Sequence, residues 1–341
     1  MHVLITGGAG YIGSHTAKAL SRAGLQPVVL DNLSRGHREA VQWGPLVEAD
    51  IADRRALENV FRQYPIEAVI HFAAFAYVGE SMQAPELYFR NNVVNTVNLL
   101  EVMLERGVRP FVFSSSCATY GYPLEIPIPE EHVQQPANPY GESKLMVERL
   151  LHWYGSIHSL PWVSLRYFNA AGADPDGELG EEHDPETHLI PLAVTAAMGK
   201  IPYLEIYGTD YDTADGTTVR DYLHVADLAD AHLAALSYLR SGGASTAFNL
   251  GTGVGQSVRN VIAMVEHVTE RRVPYREAAR RPGDPPCLVA KGTKAMTVLG
   301  WKPAHSALEQ IVRTAWDWKV RSPWGRTIRR APAGTTTSSD F

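Results

Sequence analysis

The sequence predicts a doubly wound α/β fold: a parallel sheet between layers of helix, followed by a smaller C-terminal α/β lobe. Three observations predict it. Short β-branched runs alternate with longer helical patterns over the first two-thirds of the 341 residues, as strands joined by crossover helices do. The runs are apolar throughout and not at every second position, which suits strands covered on both faces. The first run passes directly into a glycine cluster and then a helical stretch to Ala23, the arrangement that opens a dinucleotide-binding sheet.

In order, the strand runs are Val3-Leu4-Ile5, Val28-Val29-Leu30, Ala68-Val69-Ile70, Phe111-Val112-Phe113, Trp162-Val163-Ser164-Leu165 and Ala247-Phe248-Asn249-Leu250. Between the second and third of these, Asp50-Ile51 closes a further strand. Ala56, Leu57, Val60 and Phe61 share one helical face, and Asp53 can cap that helix. Residues 169–216 are rich in Gly, Pro, Asp and Glu and read as long loops opening the second lobe. Helical patterns return at Val225–Arg240, Val258–Thr269 and 307–318. The expected division is a Rossmann-type first domain at 1–168 with return segments near 217–251, a second ligand-binding α/β domain mainly at 169–330, and a frayed polar tail at 331–341.

Composition excludes several classes. A formal net charge of -6 with 20% charged residues argues against a nucleic-acid binder, which is usually basic. The two cysteines, Cys117 and Cys287, form no CxxC pair, so neither a disulfide framework nor a metal site is expected. No apolar run approaches the roughly 20 residues of a bilayer span. The strand-like start at His2, with no basic leader, makes cytoplasm the expected compartment.

Gly7, Gly10 and Gly13 form Gly-x-x-Gly-x-x-Gly. Glycines permit the tight turn and let backbone N–H groups approach a pyrophosphate, which the next helix meets with its positive end. The second strand ends in Asp31, the carboxylate expected on the adenosine ribose. Its charge disfavours a 2′-phosphate and so favours NAD over NADP. Arg35 reads either as a solvated loop residue or as a phosphate contact. Asp50 reads either as a turn or capping acid or, with Ile51, as part of the adenine site.

Tyr140 and Lys144 are four residues apart, on one helical face, and the fifth strand ends in Ser114-Ser115-Ser116. A free tyrosine has a pKa near 10. A lysine ammonium and a cationic nicotinamide would both favour the phenolate. A serine hydroxyl can bridge substrate and tyrosine. This set fits removal of a proton and a hydride from one alcohol carbon.

The ordered set resembles the extended short-chain dehydrogenase/reductase family, in its UDP-glucose 4-epimerase branch, over about residues 1–318. The likeness is carried by the glycine cluster with Tyr11-Ile12, by Asp31-Asn32, His71-Phe72-Ala73-Ala74, Val78-Gly79-Glu80-Ser81 and Asn91-Asn92. It continues in the serine triplet, Tyr120-Gly121, Arg166-Tyr167-Phe168-Asn169, residues 208–225, and Arg281-Pro282-Gly283-Asp284. The resemblance implies that Tyr11, Ile12, Asn32, Phe72, Ala73, Ala74, Asn91, Ser114 and Phe168 join the cofactor site. It implies that Ser116 and Tyr140 meet the sugar C4 hydroxyl, and that Lys144 holds the nicotinamide ribose. Tyr167, Asn169, His188, Leu189, Tyr207, Arg220, Arg281 and Asp284 would hold the UDP-sugar. Two arginines suit a diphosphate, and Tyr207 could pack on uracil, though it also reads as a core residue and Arg281 as a merely exposed one.

Three departures from the branch stand out. Ala76-Tyr77 replaces a lysine that often reaches the cofactor. His188 replaces an asparagine and reads equally as a loop histidine bonded to backbone or as a substrate group. Leu288 stands where a tyrosine restricts room for a 2-acetamido group. Among rivals, 4,6-dehydratases usually carry an Asp-Glu pair after the strand-five hydroxyl, where this chain has Cys117-Ala118. A UDP-pentose epimerase is closer, and a non-catalytic NAD-binding regulator is disfavoured by the intact Ser116, Tyr140 and Lys144. The resemblance also implies a homodimer through stretches 85–106 and 143–158, whose Val93, Val97, Leu100, Leu104, Leu145, Val147, Leu150 and Leu151 read otherwise as sheet-facing core.

Overall fold

The computed structural model describes residues 1–281 and 283–322. Strands β1 (His2–Thr6), β2 (Gln26–Asp31), β3 (Leu46–Glu48), β4 (Ile66–His71), β5 (Phe111–Ser116) and β6 (Trp162–Tyr167) lie in one sheet. After β7 (Asn169–Ala171), β8 (Leu204–Tyr207) and β9 (Val219–His224) of the second lobe, β10 (Thr246–Leu250) completes it. The order is β10-β6-β5-β4-β1-β2-β3, with every pair parallel. Winding reverses between β1 and β4, and ligands bind in the crevice outside the carboxyl ends at such a point.

Both faces of the sheet are covered, as the continuous apolar runs require. Helices α1 (Tyr11–Arg22) and α8 (Val225–Arg240) pack Ala17, Leu20, Leu228 and Leu236 against Val3 and Ile5. On the other face, α2 (Arg54–Gln63), α5 (Asn95–Glu105) and α6 (Pro139–His158) pack Leu57, Leu100, Val147 and Leu151 against Leu4. Burial of each such leucine, valine or isoleucine contributes roughly 1.5–3 kcal/mol. Asp53 caps α2 by accepting from the Arg55 and Ala56 N–H groups. Two short helices, α3 (Val78–Ser81) and α4 (Pro85–Tyr88), lead through a π-helical segment at Phe89–Val94 into α5, so 85–106 is not one regular helix.

The second lobe corrects the reading of 169–216 as loops. That stretch contains β7, the helix α7 (Leu189–Ala197) and β8. Sequence periodicity missed α7 because it is apolar on most sides: Ile190, Pro191, Ala193, Val194, Ala196 and Ala197 are all buried, and Thr195 is its one polar residue. Helices α9 (Val258–Thr269) and α11 (Leu308–Arg321) close that cluster. β9 pairs with β7, β11 (Gly255–Ser257) and β13 (Cys287–Leu288), while β12 (Tyr275–Ala278) pairs with β8 and α10 (Thr293–Val298) packs beside β10. β3 stops at Glu48, so Asp50-Ile51 lies in the turn beyond it. The tail expected at 331–341 lies outside the described residues. Among the described residues no helix is long and apolar enough to cross a membrane.

Candidate active site

A cavity of about 1360 Å³ opens at the carboxyl edge of the sheet and runs into the second lobe. A single drug-sized ligand needs about 300–1,000 Å³, so there is room for two extended ligands. Every residue singled out for cofactor or substrate lines this one cavity, from Gly7 and Asp31 at one end to Arg281 and Asp284 at the other. The fold brings together at one surface positions that span most of the chain.

The cofactor end is shaped by backbone. Gly7 has φ +73°, and a Cβ there would meet the Ala73 nitrogen at 2.6 Å. A Cβ on Gly13 would meet the Gly7 carbonyl oxygen at 2.4 Å. Only glycine lets the loop lie this close to β4 and to α1. Asp31 is buried, and its oxygens accept from the Ala9 and Leu33 N–H groups at 2.9 Å each. Burial raises its pKa and those two amides oppose the rise, and the side chain lines the cavity with lone pairs for ribose hydroxyls. Asn32 donates to Asp50 at 2.7 Å, and Asp50 also accepts from the Ala52 N–H, so Asp50 is a turn acid that still lines the site. Arg35 is drawn to Glu80 at 2.7 Å and lies over the Tyr77 ring. It is neither simply solvated nor poised for a 2′-phosphate, and the site fits NAD.

The centre is rigid. Lys144 is buried and donates to the Ser114 carbonyl oxygen at 2.8 Å. Burial, partly opposed by Glu148, lowers its pKa to about 7. Asn138 caps α6 by accepting from the Gly141 N–H at 2.9 Å, which sets the first turn that carries Tyr140. One turn beyond Lys144, Glu148 accepts from Arg166 of β6 at 2.6 Å and from the Ser115 hydroxyl. This buried pair ties α6 to the sheet, and it is a support that sequence reading did not identify. Ser116 Oγ accepts from the Ala118 N–H at 3.1 Å, and the Ser114 and Tyr167 hydroxyls share a short hydrogen bond. The expectation that Lys144 lowers the Tyr140 pKa is not met by the protein alone. Burial dominates and raises it, Tyr167 adds to the rise, and Ser116 opposes it through a hydrogen bond.

The far end is built from ion pairs on the second lobe. Arg220 of β9 pairs with Asp284 and donates to the Pro285 carbonyl oxygen at 2.8 Å. Arg281 stacks over the Tyr207 ring at 3.8 Å, so Tyr207 is a wall of the cavity and not core, and Arg281 is not simply solvated. Asn169 begins β7, and Leu189 begins α7. The His188 ring bonds no backbone group, and its side chain is 44% exposed. Its Nδ1 lies 2.7 Å from Glu181 and 3.2 Å from Glu186, and these carboxylates outweigh burial and raise its pKa. Glu181 and His183 also line the cavity. Sequence reading missed both, although the density of His and Glu at 181–188 was a usable signal.

A glycine-cradled dinucleotide site that shares one cavity with a Ser-Tyr-Lys set defines an NAD-linked α/β enzyme. The chain belongs to the NAD dependent epimerase/dehydratase family, which it matches over residues 3–251. It is 51% identical to a UDP-glucose 4-epimerase of Rhizobium leguminosarum bv. trifolii, over 94% of this chain and 98% of that protein. Among solved structures, the Brucella ovis UDP-glucose 4-epimerase in complex with NAD is 52% identical with a TM-score of 0.90, covering 92% of this chain and 97% of that one. The Bifidobacterium longum UDP-glucose 4-epimerase, solved with NAD+ and UDP, is 37% identical with a TM-score of 0.91, covering 95% and 100%.

Proposed function

We propose that this chain interconverts UDP-glucose and UDP-galactose through a transient 4-keto sugar. The observation that carries the reading is the placement of Ser116, Tyr140 and Lys144 between a glycine cradle and a pair of arginines within one cavity. The glycine loop, Asp31, Asn32, Phe72, Ala73, Asn91 and Phe168 would hold NAD, which when bound supplies the hydride acceptor and donor for C4 and a positive charge beside Tyr140. That charge offsets the burial that otherwise keeps Tyr140 protonated. Tyr140 takes the 4′-hydroxyl proton and later returns one, Ser116 orients that hydroxyl, and Lys144 orders the ribose. Arg220 and Arg281 grip the diphosphate, and Tyr207 packs on the base. The grip lies on the nucleotide, so the sugar is free to turn and present its other face.

Residues 1–168 with 217–251 form the cofactor part and the remainder to 330 mainly the UDP-sugar part. The compartment is the cytoplasm. The functional unit is a homodimer. Of the apolar residues named from sequence, Leu100, Leu145, Val147 and Leu151 are buried, while Val93, Val97, Leu104 and Leu150 are only half-buried. Leu87 of α4, Val94 of the π-helical segment, and Met146, Trp153 and Ile157 of α6 are the exposed large apolar side chains there, and they supply the pairing face. Leu288, smaller than tyrosine, favours acceptance of 2-acetamido sugars as well. The test is to incubate the protein, with no NAD added, with UDP-galactose, UDP-N-acetylgalactosamine and a UDP-pentose. UDP-glucose should form from the first. A folded, NAD-replete protein that epimerises none of the three would sink the reading.

A further inference from the structure

Four side chains within eight residues converge beside the glycine loop. Glu181 Oε1 lies 3.0 Å from His183 Nδ1 and 2.7 Å from His188 Nδ1. His188 Nδ1 is also 3.2 Å from Glu186 Oε1, and one donor atom from each of the four lies within 4.8 Å of the others. Hydrogen bonds alone account for this poorly. The one hydrogen that His188 Nδ1 can carry is claimed by two carboxylates. Glu186 Oε1 is already taken by the Thr187 and His188 N–H groups at 2.8 and 2.9 Å, while its Oε2 is buried with no partner. A buried carboxylate oxygen left without a partner costs free energy that native structures normally avoid.

We infer that Glu181, His183, Glu186 and His188 form a site for one divalent transition-metal ion of the zinc class. Two imidazoles and two carboxylates are a four-donor set that zinc accepts, at about 2.0–2.2 Å to each donor. Ligands at that distance in a tetrahedron stand roughly 3.3 Å apart, a spacing bracketed by the pairs here, which run from 2.7 to 3.9 Å. An ion bound there would use Glu186 Oε2 and relieve the contest at His188. Because the four donors come from the protein, the site is a structural clasp, not a Lewis acid with an open position. No cysteine takes part, which is why the cysteine count pointed to no metal.

The clasp would fasten a segment that covers the cofactor end. The His183 ring stands nearly perpendicular to those of Tyr11 and Tyr77, at 6.2 and 6.1 Å between ring centres. Tyr11 opens α1 directly after Gly10 of the glycine loop, and its hydroxyl donates to the Gly172 carbonyl oxygen at 2.6 Å. On the outer side, Glu182 is held by Lys319 at 2.9 Å. At the far end the segment runs into α7 through Leu189. On the proposed reading of the cavity, this closure does for cofactor retention what a lysine at Ala76-Tyr77 would otherwise do.

The test is metal analysis of the intact full chain. After equilibration with zinc and removal of excess by gel filtration, about one zinc per chain is expected. A His183→Asn, Glu186→Gln double variant, checked as folded by circular dichroism, should lose it. The cobalt form of the wild-type protein should show the visible absorption of four-coordinate cobalt. Chelation should lower the melting temperature of the wild-type protein and leave that of the double variant unchanged. A folded wild-type chain that retains no zinc, or a double variant that retains as much as wild type, overturns the inference. Epimerisation of UDP-galactose is measured in parallel. A metal-free yet active enzyme defeats the metal site alone, and an inactive zinc protein defeats the functional reading alone.

Discussion

The two ends of the catalytic cavity are built differently. At the centre, Ser116, Tyr140 and Lys144 are 7%, 9% and 3% exposed and are held by a strand end, a capped helix turn and a backbone carbonyl. Toward the nucleotide end, Arg281 is exposed, Asp284 is 31% exposed, and their partners are other side chains of the second lobe. The centre is set before any ligand arrives. The far end holds itself in internal pairs, Arg220 with Asp284 and Arg281 over Tyr207, which on the proposed reading would be exchanged for a diphosphate. Chemistry that removes a proton and a hydride from one carbon needs fixed geometry. A grip that must load and release a nucleotide works better when its bonds can be traded.

That contrast can be broken, beginning with the largest effect. Tyr140→Phe should cut kcat for epimerisation by about 10²–10⁴-fold while the Kd for UDP-glucose, by calorimetry, stays within a few-fold; near-normal turnover would remove Tyr140 from the centre. Glu148→Gln leaves Arg166 buried without its counter-charge and should destabilise the protein by about 3–5 kcal/mol in urea unfolding, whereas a loss under 1 kcal/mol would show that the centre has no rigid backing.

A pH series examines Lys144. Its folded pKa is lowered to about 7 from 10.5, so below pH 7 both folded and unfolded states hold the proton and the burial cost is fully present. Above pH 7 the unfolded chain binds a proton that the folded chain has released, and stability rises with pH. Between pH 7 and 9 the wild type should therefore gain about 2 kcal/mol relative to Lys144→Met; parallel curves for the two proteins would contradict the burial. At the grip, Arg281→Ala should weaken UDP binding about 10-fold, the loss of one charge-assisted contact, with kcat nearly unchanged; an equal fall in kcat would make the two ends one unit. The smallest change is Leu288→Tyr, expected to lower kcat/KM for UDP-N-acetylgalactosamine several-fold and to spare UDP-galactose. An equal loss on both sugars would take Leu288 out of sugar selection.

Local pattern carried the sheet and the centre. The apolar runs and the glycine turn have immediate backbone consequences, and helices at Val225–Arg240 and Val258–Thr269 were readable because one face of each is apolar. Tyr140 and Lys144 were readable because one helical turn relates them. The pattern failed at α7, whose residues are apolar on most sides, and at 85–106, where a π-helical segment interrupts a helical periodicity.

What the chain determined by itself was therefore whatever depends on near neighbours: strand runs, a cradle that only glycine can line, a capped helix with its tyrosine and lysine on one face. Tertiary structure alone decided which distant charges meet. It set Glu148 against Arg166 behind the centre, Arg35 against Glu80, Arg220 against Asp284, and Tyr11 beneath His183. Charge pairing acts over a few ångströms of space whatever the separation along the chain, so spacing in sequence carries no record of it. Burial, which governs the protonation of Tyr140 and Lys144, likewise exists only once the layers close.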